Sequence, residues 1–141
     1  MPLGCAAGLA NLEIFKKEKT IEKLKPKIQL LAALLERFKS LRHVGDVRQG
    51  GLVAGIELVE DKKTKRSFPA AMRLGNNISI EARKHGLIIR PLGDVIVIMP
   101  PLSIKEAELK KIMRVVYGCI REFTEGDAAL YFLSPSGRGL R

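Results

Sequence analysis

The fold of this chain is decided by residues 86–109, which read GLIIRPLGDVIVIMPPLSIKEAEL. Two apolar runs, at 86–90 and 95–99, flank the turn-forming residues Pro-Leu-Gly-Asp at 91–94. Apolar runs around such a turn are typical of a β-hairpin. The stretch therefore predicts a hairpin, with Arg90 at its mouth, and the rest of the chain can be interpreted outward from it.

A helix is predicted directly after the hairpin. Ser103 and Glu106 have the spacing of a capping box, in which each side chain satisfies a free backbone N–H at a helix start. Apolar residues then recur at helical spacing, and the pattern ends near Phe123. The apolar residues of this helix are Leu109, Ile112, Met113, Val116 and Ile120.

Two strands and a third helix are predicted before the hairpin. The β-branched segments 44–48 and 52–59 are joined at Gly50-Gly51, which indicates a tight or bulged link. A helical apolar stripe follows the polar loop 60–66 and ends at Gly86, a good helix stop. That stripe consists of Ala71, Leu74, Ile78 and Ala82.

Two further helices are predicted at the N-terminal end. Residues 3–17 have small and apolar side chains at helical spacing, which favours a closely packed helix. Apolar residues from Ile21 to Phe38 predict a second, amphipathic helix, in which Pro26 marks either the first turn or a kink. The pattern is too short for a sustained coiled coil, so this helix is expected to lie on its own sheet.

These elements together predict an α+β fold with a small, mainly antiparallel sheet and helices on one face. We expect residues 1–125 to form this domain. Residues 126–141 lose the periodicity and are expected to be a tail without an assigned function.

Composition and single residue types limit the possible functions. The 141 residues carry a net charge of +10, which is compatible with an acidic partner such as nucleic acid. Cys5 and Cys119 are far apart and are expected to be free, buried thiols in a reducing cytoplasm. The apolar runs are too short to cross a membrane. No catalytic motif or metal-ligand spacing is present, so we predict neither a catalytic residue nor a metal site.

Arg90 is the one candidate binding residue. A guanidinium at the end of an apolar strand can make a bidentate contact with a carboxylate. The alternative is an ordinary exposed arginine at a strand end, and its position in the sequence does not decide between the two.

Three stretches of the chain resemble a known family. They are PLGCAAGLANLEIF at 2–15, VGDVRQGGLVAGIELV at 44–59, and residues 86–109. Their order and spacing resemble the C-terminal region of class III pyridoxal-phosphate aminotransferases, whose small domain belongs to fold-type I. Arg90-Pro91-Leu92-Gly93, followed by Met99-Pro100-Pro101, is similar to the branch of that family that acts in biotin synthesis.

The resemblance implies a function and a role for one residue. Arg90 matches the arginine that binds the carboxylate of the acceptor, 8-amino-7-oxononanoate. Val97 stands where relatives that use glutamate as amino donor have an arginine, which points to S-adenosylmethionine, or else lysine, as donor. The family uses pyridoxal 5′-phosphate and forms homodimers.

The same resemblance implies that this chain is the C-terminal piece of a longer enzyme. The lysine that binds the cofactor, and the other cofactor ligands, belong to segments upstream of Pro2, and Met1 replaces a family asparagine. We therefore expect no bound cofactor and no transamination by the chain alone, and apolar surface exposed along 3–17. The alternatives are another class III aminotransferase, a free-standing nucleic-acid-binding module, which explains only the charge, and a small-molecule regulatory module.

Overall fold

The computed structural model describes residues 2–126, which form four α-helices, two short 3-10 helices and four strands. Helices α1 and α2 come first, then strands β1 and β2, helix α3, strands β3 and β4, and helix α4. The helices are α1 Pro2–Lys17, α2 Thr20–Glu36, α3 Leu74–Lys84 and α4 Glu106–Glu125. The strands are β1 Val44–Gly50, β2 Val53–Leu58, β3 Pro91–Leu92 and β4 Val95–Ile98.

The four strands make one antiparallel sheet in the order β1-β2-β4-β3. Successive side chains of a strand point to opposite faces, and one face of this sheet is apolar and buried. Its side chains belong to the same core as the apolar residues of α2, α3 and α4. The buried sheet residues are Ala54, Ile56, Leu58, Ile96 and Ile98. The predicted α+β fold, with helices on one face of an antiparallel sheet, is confirmed.

The other face, which we call the open face, carries Gly55, Glu57, Val95 and Val97, all of them half-buried. The register places Gly55 opposite Val97 and Glu57 opposite Val95. These half-buried residues alternate along the strands with the buried ones, as expected for a sheet covered on one side only.

The predicted hairpin is present, but its first strand and its turn begin later in the chain than predicted. Residues 87–90 lie outside the sheet, and only Pro91 and Leu92 pair with β4. Gly93 adopts a left-handed conformation with φ of 59°, so the hairpin closes through Gly93-Asp94 alone. A two-residue turn moves Pro91 into the sheet, where an edge strand tolerates its missing N–H.

Helix α4 also begins later in the chain than predicted. The helix begins at Glu106 rather than at Ser103, and the Glu108 carboxylate accepts the Lys105 N–H at 2.8 Å. Ile104 is buried, and its N–H donates to the Pro101 carbonyl, so the chain turns once more before the helix. Burial of Ile104 therefore overrides the Ser103–Glu106 pattern.

The prediction that residues 3–17 pack closely is wrong within the part of the chain that the structure describes. No residue of α1 is buried, and Leu3 is 83% exposed. The expectation that this helix leaves apolar surface uncovered is confirmed. Pro26 lies inside α2, six residues after its start, so it does not mark the first turn.

The two cysteines differ in burial. Both are free, but Cys5 is exposed on α1, so its predicted burial is wrong. Cys119 faces the core from α4, as predicted. The predicted tail falls on residues 127–141, outside the described residues.

Candidate functional site

A groove of about 280 Å³ runs beside the β3–β4 hairpin. Arg90 lies at this groove together with Val97 and the Pro100-Pro101 pair. The remaining lining residues are apolar: Leu87, Ile88, Ile89, Ile98, Met99 and Ile112. The structure thus brings together the residues that the sequence had singled out one by one.

The Arg90 side chain is available to a ligand. The residue is exposed, and among residues 2–126 no carboxylate lies within 4 Å of its guanidinium. One cation beside an apolar wall suits a ligand with a carboxylate at the end of a hydrocarbon chain. The fork of the guanidinium can meet both oxygens of such a group.

The hairpin turn that follows Arg90 is held by contacts on two sides. The Leu58 N–H donates to the Asp94 carbonyl at 2.9 Å, which ties the hairpin turn to β2. On the other side, the Gly75 N–H donates to Oδ1 of Asp94 at 3.4 Å. A Cβ atom at position 75 would overlap the Gly93 carbonyl oxygen, so α3 meets the turn backbone to backbone.

Gly75 is the positioning residue that sequence reasoning missed. It is buried next to Leu74 at the start of α3, and the apolar periodicity of the helix does not require a glycine there. A glycine in the first turn of a helix, where it lowers helix propensity, was the available signal.

Val97 lies on the open face and lines this groove. It pairs with Gly55 of β2 and is half-buried. Its apolar side chain adds no charge to the groove, which leaves Arg90 as the only ionisable residue among the lining residues.

No histidine or cysteine is among the residues that line the groove. His43 is buried, with its Nδ1 atom 3.0 Å from the Val59 carbonyl and its ring against Phe68. His85 is exposed, 3.7 Å from a carboxylate oxygen of Glu81. Burial raises the pKa of the Cys119 thiol to about 11, and nearby carboxylates add to this. Between residues 2 and 126, no cluster of His, Cys, Asp or Glu could hold a metal ion.

Comparison with known proteins identifies the family of this chain. The family described as "Aminotransferase class-III" matches residues 1–120. The chain belongs to the class III aminotransferase family. This membership explains why the stretches 2–15, 44–59 and 86–109 resemble that family. The comparisons do not favour the alternative of a free-standing nucleic-acid-binding module.

Several similar relatives share one name. This class III chain is 47% identical over 137 residues to the adenosylmethionine-8-amino-7-oxononanoate aminotransferase of Nitratidesulfovibrio vulgaris, covering 96% of the chain and 25% of the relative. It is 48% identical to the Aquifex aeolicus enzyme of that name, covering 85% and 26%. The crystal structure of the Methanocaldococcus jannaschii enzyme of that name superposes with a TM-score of 0.79 at 45% identity, covering 84% and 27%.

The chain spans about a quarter of the length of these relatives. Within residues 2–126, no helix combines the length and apolar character that a membrane crossing requires.

The described residues do not fit pyridoxal phosphate. A lysine that forms an imine with this cofactor must be desolvated and face it. Every lysine between residues 2 and 126 is exposed except the half-buried Lys27, whose Nζ donates to the Leu102 carbonyl at 2.9 Å. No lysine of residues 2–126 is therefore buried, as a lysine that forms an imine with this cofactor has to be.

Proposed function

We propose that this chain is the small C-terminal domain, residues 1–125, of an aminotransferase that converts 8-amino-7-oxononanoate with S-adenosylmethionine as amino donor. The proposal rests on the identity of 45–48% to relatives that carry this name over most of the chain. Another class III aminotransferase is the second candidate, and this level of identity makes it the weaker one.

One observation supports a specific role for this domain, namely the unpaired guanidinium of Arg90 at an apolar groove. The acceptor has a carboxylate at the end of a hydrocarbon chain, which matches both features of the groove. A hydrogen bond to a charged group contributes about 1.5–3 kcal/mol, so Arg90 would position the acceptor without taking part in bond making.

The identity of residue 97 bears on the amino donor. A donor such as glutamate presents a second carboxylate, and the valine side chain offers it no charge. S-adenosylmethionine is therefore the proposed donor, and lysine is the alternative that the experiment below separates from it.

The cofactor chemistry must come from residues that this chain does not supply. Pyridoxal phosphate provides the electron sink on which amino groups are exchanged in such enzymes. Because the described lysines do not fit it, the 141 residues alone are expected to be inactive and to bind no cofactor.

The exposed apolar residues of α1 indicate where the rest of the enzyme packs. Leu3, Leu9, Leu12 and Ile14 are all more than half exposed. Exposed patches of this kind are covered by other protein surface in stable assemblies. We expect the chain alone to self-associate, with cytoplasm as its compartment, and we propose a homodimer for the complete enzyme.

A chimera tests the function directly. In the Nitratidesulfovibrio vulgaris relative, the quarter matched by this chain is replaced with the matching part of this chain. The purified chimera is then assayed for amination of 8-amino-7-oxononanoate with S-adenosylmethionine, lysine or glutamate. We expect turnover with S-adenosylmethionine and none with glutamate.

Two controls make the result decisive. Absorbance of the bound cofactor shows whether the chimera has assembled, and the unmodified relative gives the reference rate. A chimera that binds cofactor but aminates only with glutamate, or accepts only other keto substrates, contradicts the proposal.

A further inference from the structure

A second pocket lies between α2 and α4, in the helical layer rather than at the sheet. Its volume is about 350 Å³, which lies within the range of about 300–1,000 Å³ common for small-molecule sites. Three cationic residues, Arg37, Lys110 and Arg114, line it, and no acidic residue does. The other lining residues are Leu34, Phe38, Met113 and Tyr117. None of these residues lines the Arg90 groove.

The pocket has a rigid apolar and aromatic wall. Phe38 is 1% exposed, and its ring meets that of Tyr117 edge to face, with centroids 5.3 Å apart. The guanidinium carbon of Arg37 lies 5.0 Å from the centroid of the Tyr117 ring. A cation held over a ring in this way is already placed for a ligand, so less entropy is lost on binding.

The three cations are not balanced by the protein itself. Among residues 2–126, none of them lies within 4 Å of a carboxylate, and the neighbouring Glu36 is paired with Lys39 at 2.6 Å. Lys110 and Arg114 are four residues apart on α4, a spacing at which like charges repel. Arg37 caps the C-terminal end of α2, where the helix dipole stabilises a positive charge. Lys110 and Arg114 lie in the first half of α4, so the same effect does not account for their charges.

We propose that this pocket binds an organic phosphate, with the phosphoryl group between the three cations and the organic part against the aromatic wall. A phosphate monoester carries a charge of about −1.5 to −2 and three acceptor oxygens. It therefore matches three cations better than a carboxylate does, which carries a single charge and two oxygens. The site goes beyond the proposed transamination and gives the domain a ligand of a different class from the Arg90 groove.

Calorimetric titration of the full 141-residue chain tests the site, with AMP as the probe. Adenosine and inorganic phosphate are titrated separately, because they represent the two halves of the probe. We expect saturable one-to-one binding of AMP, no binding of adenosine, and phosphate binding at least about tenfold weaker than AMP, since the apolar contacts are then missing.

Two charge-matched double variants separate a defined site from general attraction to a basic protein. K110Q/R114Q removes two cations of the pocket, whereas K63Q/R83Q removes one lysine and one arginine that are exposed and lie outside it. We expect K110Q/R114Q to weaken AMP binding about tenfold or more, and K63Q/R83Q to leave it unchanged within about twofold.

Circular dichroism of each variant checks the fold, and the single variant R114Q replaces K110Q/R114Q if the double variant is unfolded. The proposal is overturned if the chain shows no saturable AMP binding, if adenosine or phosphate binds as tightly as AMP, or if both double variants weaken binding equally.

Discussion

Replacing Gly75 with alanine tests whether backbone contact between α3 and the hairpin positions the Arg90 groove. The added Cβ would overlap the Gly93 carbonyl oxygen and would lie 3.1 Å from the Pro91 Cβ. The obstacle is backbone, so no side-chain rotation can relieve it. The helix and the turn must move apart, and the hydrogen bond from Gly75 to Asp94 is lengthened or lost.

The magnitude follows from two opposing effects. Overpacking of a filled contact costs about 1–3 kcal/mol, whereas alanine is favoured over glycine within a helix by about 1 kcal/mol. The helix term is smaller near the helix end, so we expect Gly75→Ala to lower the free energy of unfolding by about 1–2 kcal/mol. For a domain of this size, that loss lowers the melting temperature by about 3–8 °C.

Gly118→Ala provides the matched control in the same chain. Gly118 lies inside α4, it is exposed, and a Cβ there meets nothing within 4 Å. Only the helix term acts, so this variant should gain about 0.5–1 kcal/mol. Urea unfolding followed by far-ultraviolet circular dichroism measures both. If Gly75→Ala stabilises the chain as much as Gly118→Ala does, the proposed contact between helix and turn is wrong.

Three further predictions concern the two thiols and the donor specificity. At pH 8, a thiol reagent should modify Cys5 rapidly and Cys119 only on unfolding; equal rates would contradict the burial of Cys119. The pKa of Cys119 rises from 9.0 to about 11 on folding, so its contribution to the free energy of unfolding is present below pH 9 and is lost as the pH rises toward 11. Between pH 9 and 11, the free energy of unfolding should therefore fall less in Cys119→Ala than in the unmodified chain. In the chimera, Val97→Arg should raise turnover with glutamate relative to S-adenosylmethionine; an unchanged ratio would exclude residue 97 from donor selection.

The sequence predicted those elements whose local signals agree with their packing. The stop at Gly86 is an example, since the residue adopts φ of 74° directly after α3. The apolar periodicity of α4 agrees with its buried face, because the same residues that repeat along the helix meet the core. Arg90 and Val97 were each singled out through the family resemblance, and the structure places both at one groove.

The misplaced features depend on contacts between distant parts of the chain. The apolar run 86–90 has the composition of a strand, but Ile88 is 85% exposed because the hairpin closes two residues later than expected. The small and apolar residues of α1 predict packing, yet the described residues provide little surface to cover them. Periodicity indicates which face is apolar and cannot indicate which surface it will meet.

Arg90→Ala in the chimera is the measurement that tests the account most directly. If Arg90 holds the acceptor carboxylate, the KM for 8-amino-7-oxononanoate should rise about 10- to 150-fold, the equivalent of about 1.5–3 kcal/mol. The half-reaction with S-adenosylmethionine should be unchanged, as should both half-reactions in the exposed control Arg83→Ala. An unaltered KM for the acceptor, together with normal donor kinetics, would contradict the role assigned to Arg90 and its groove.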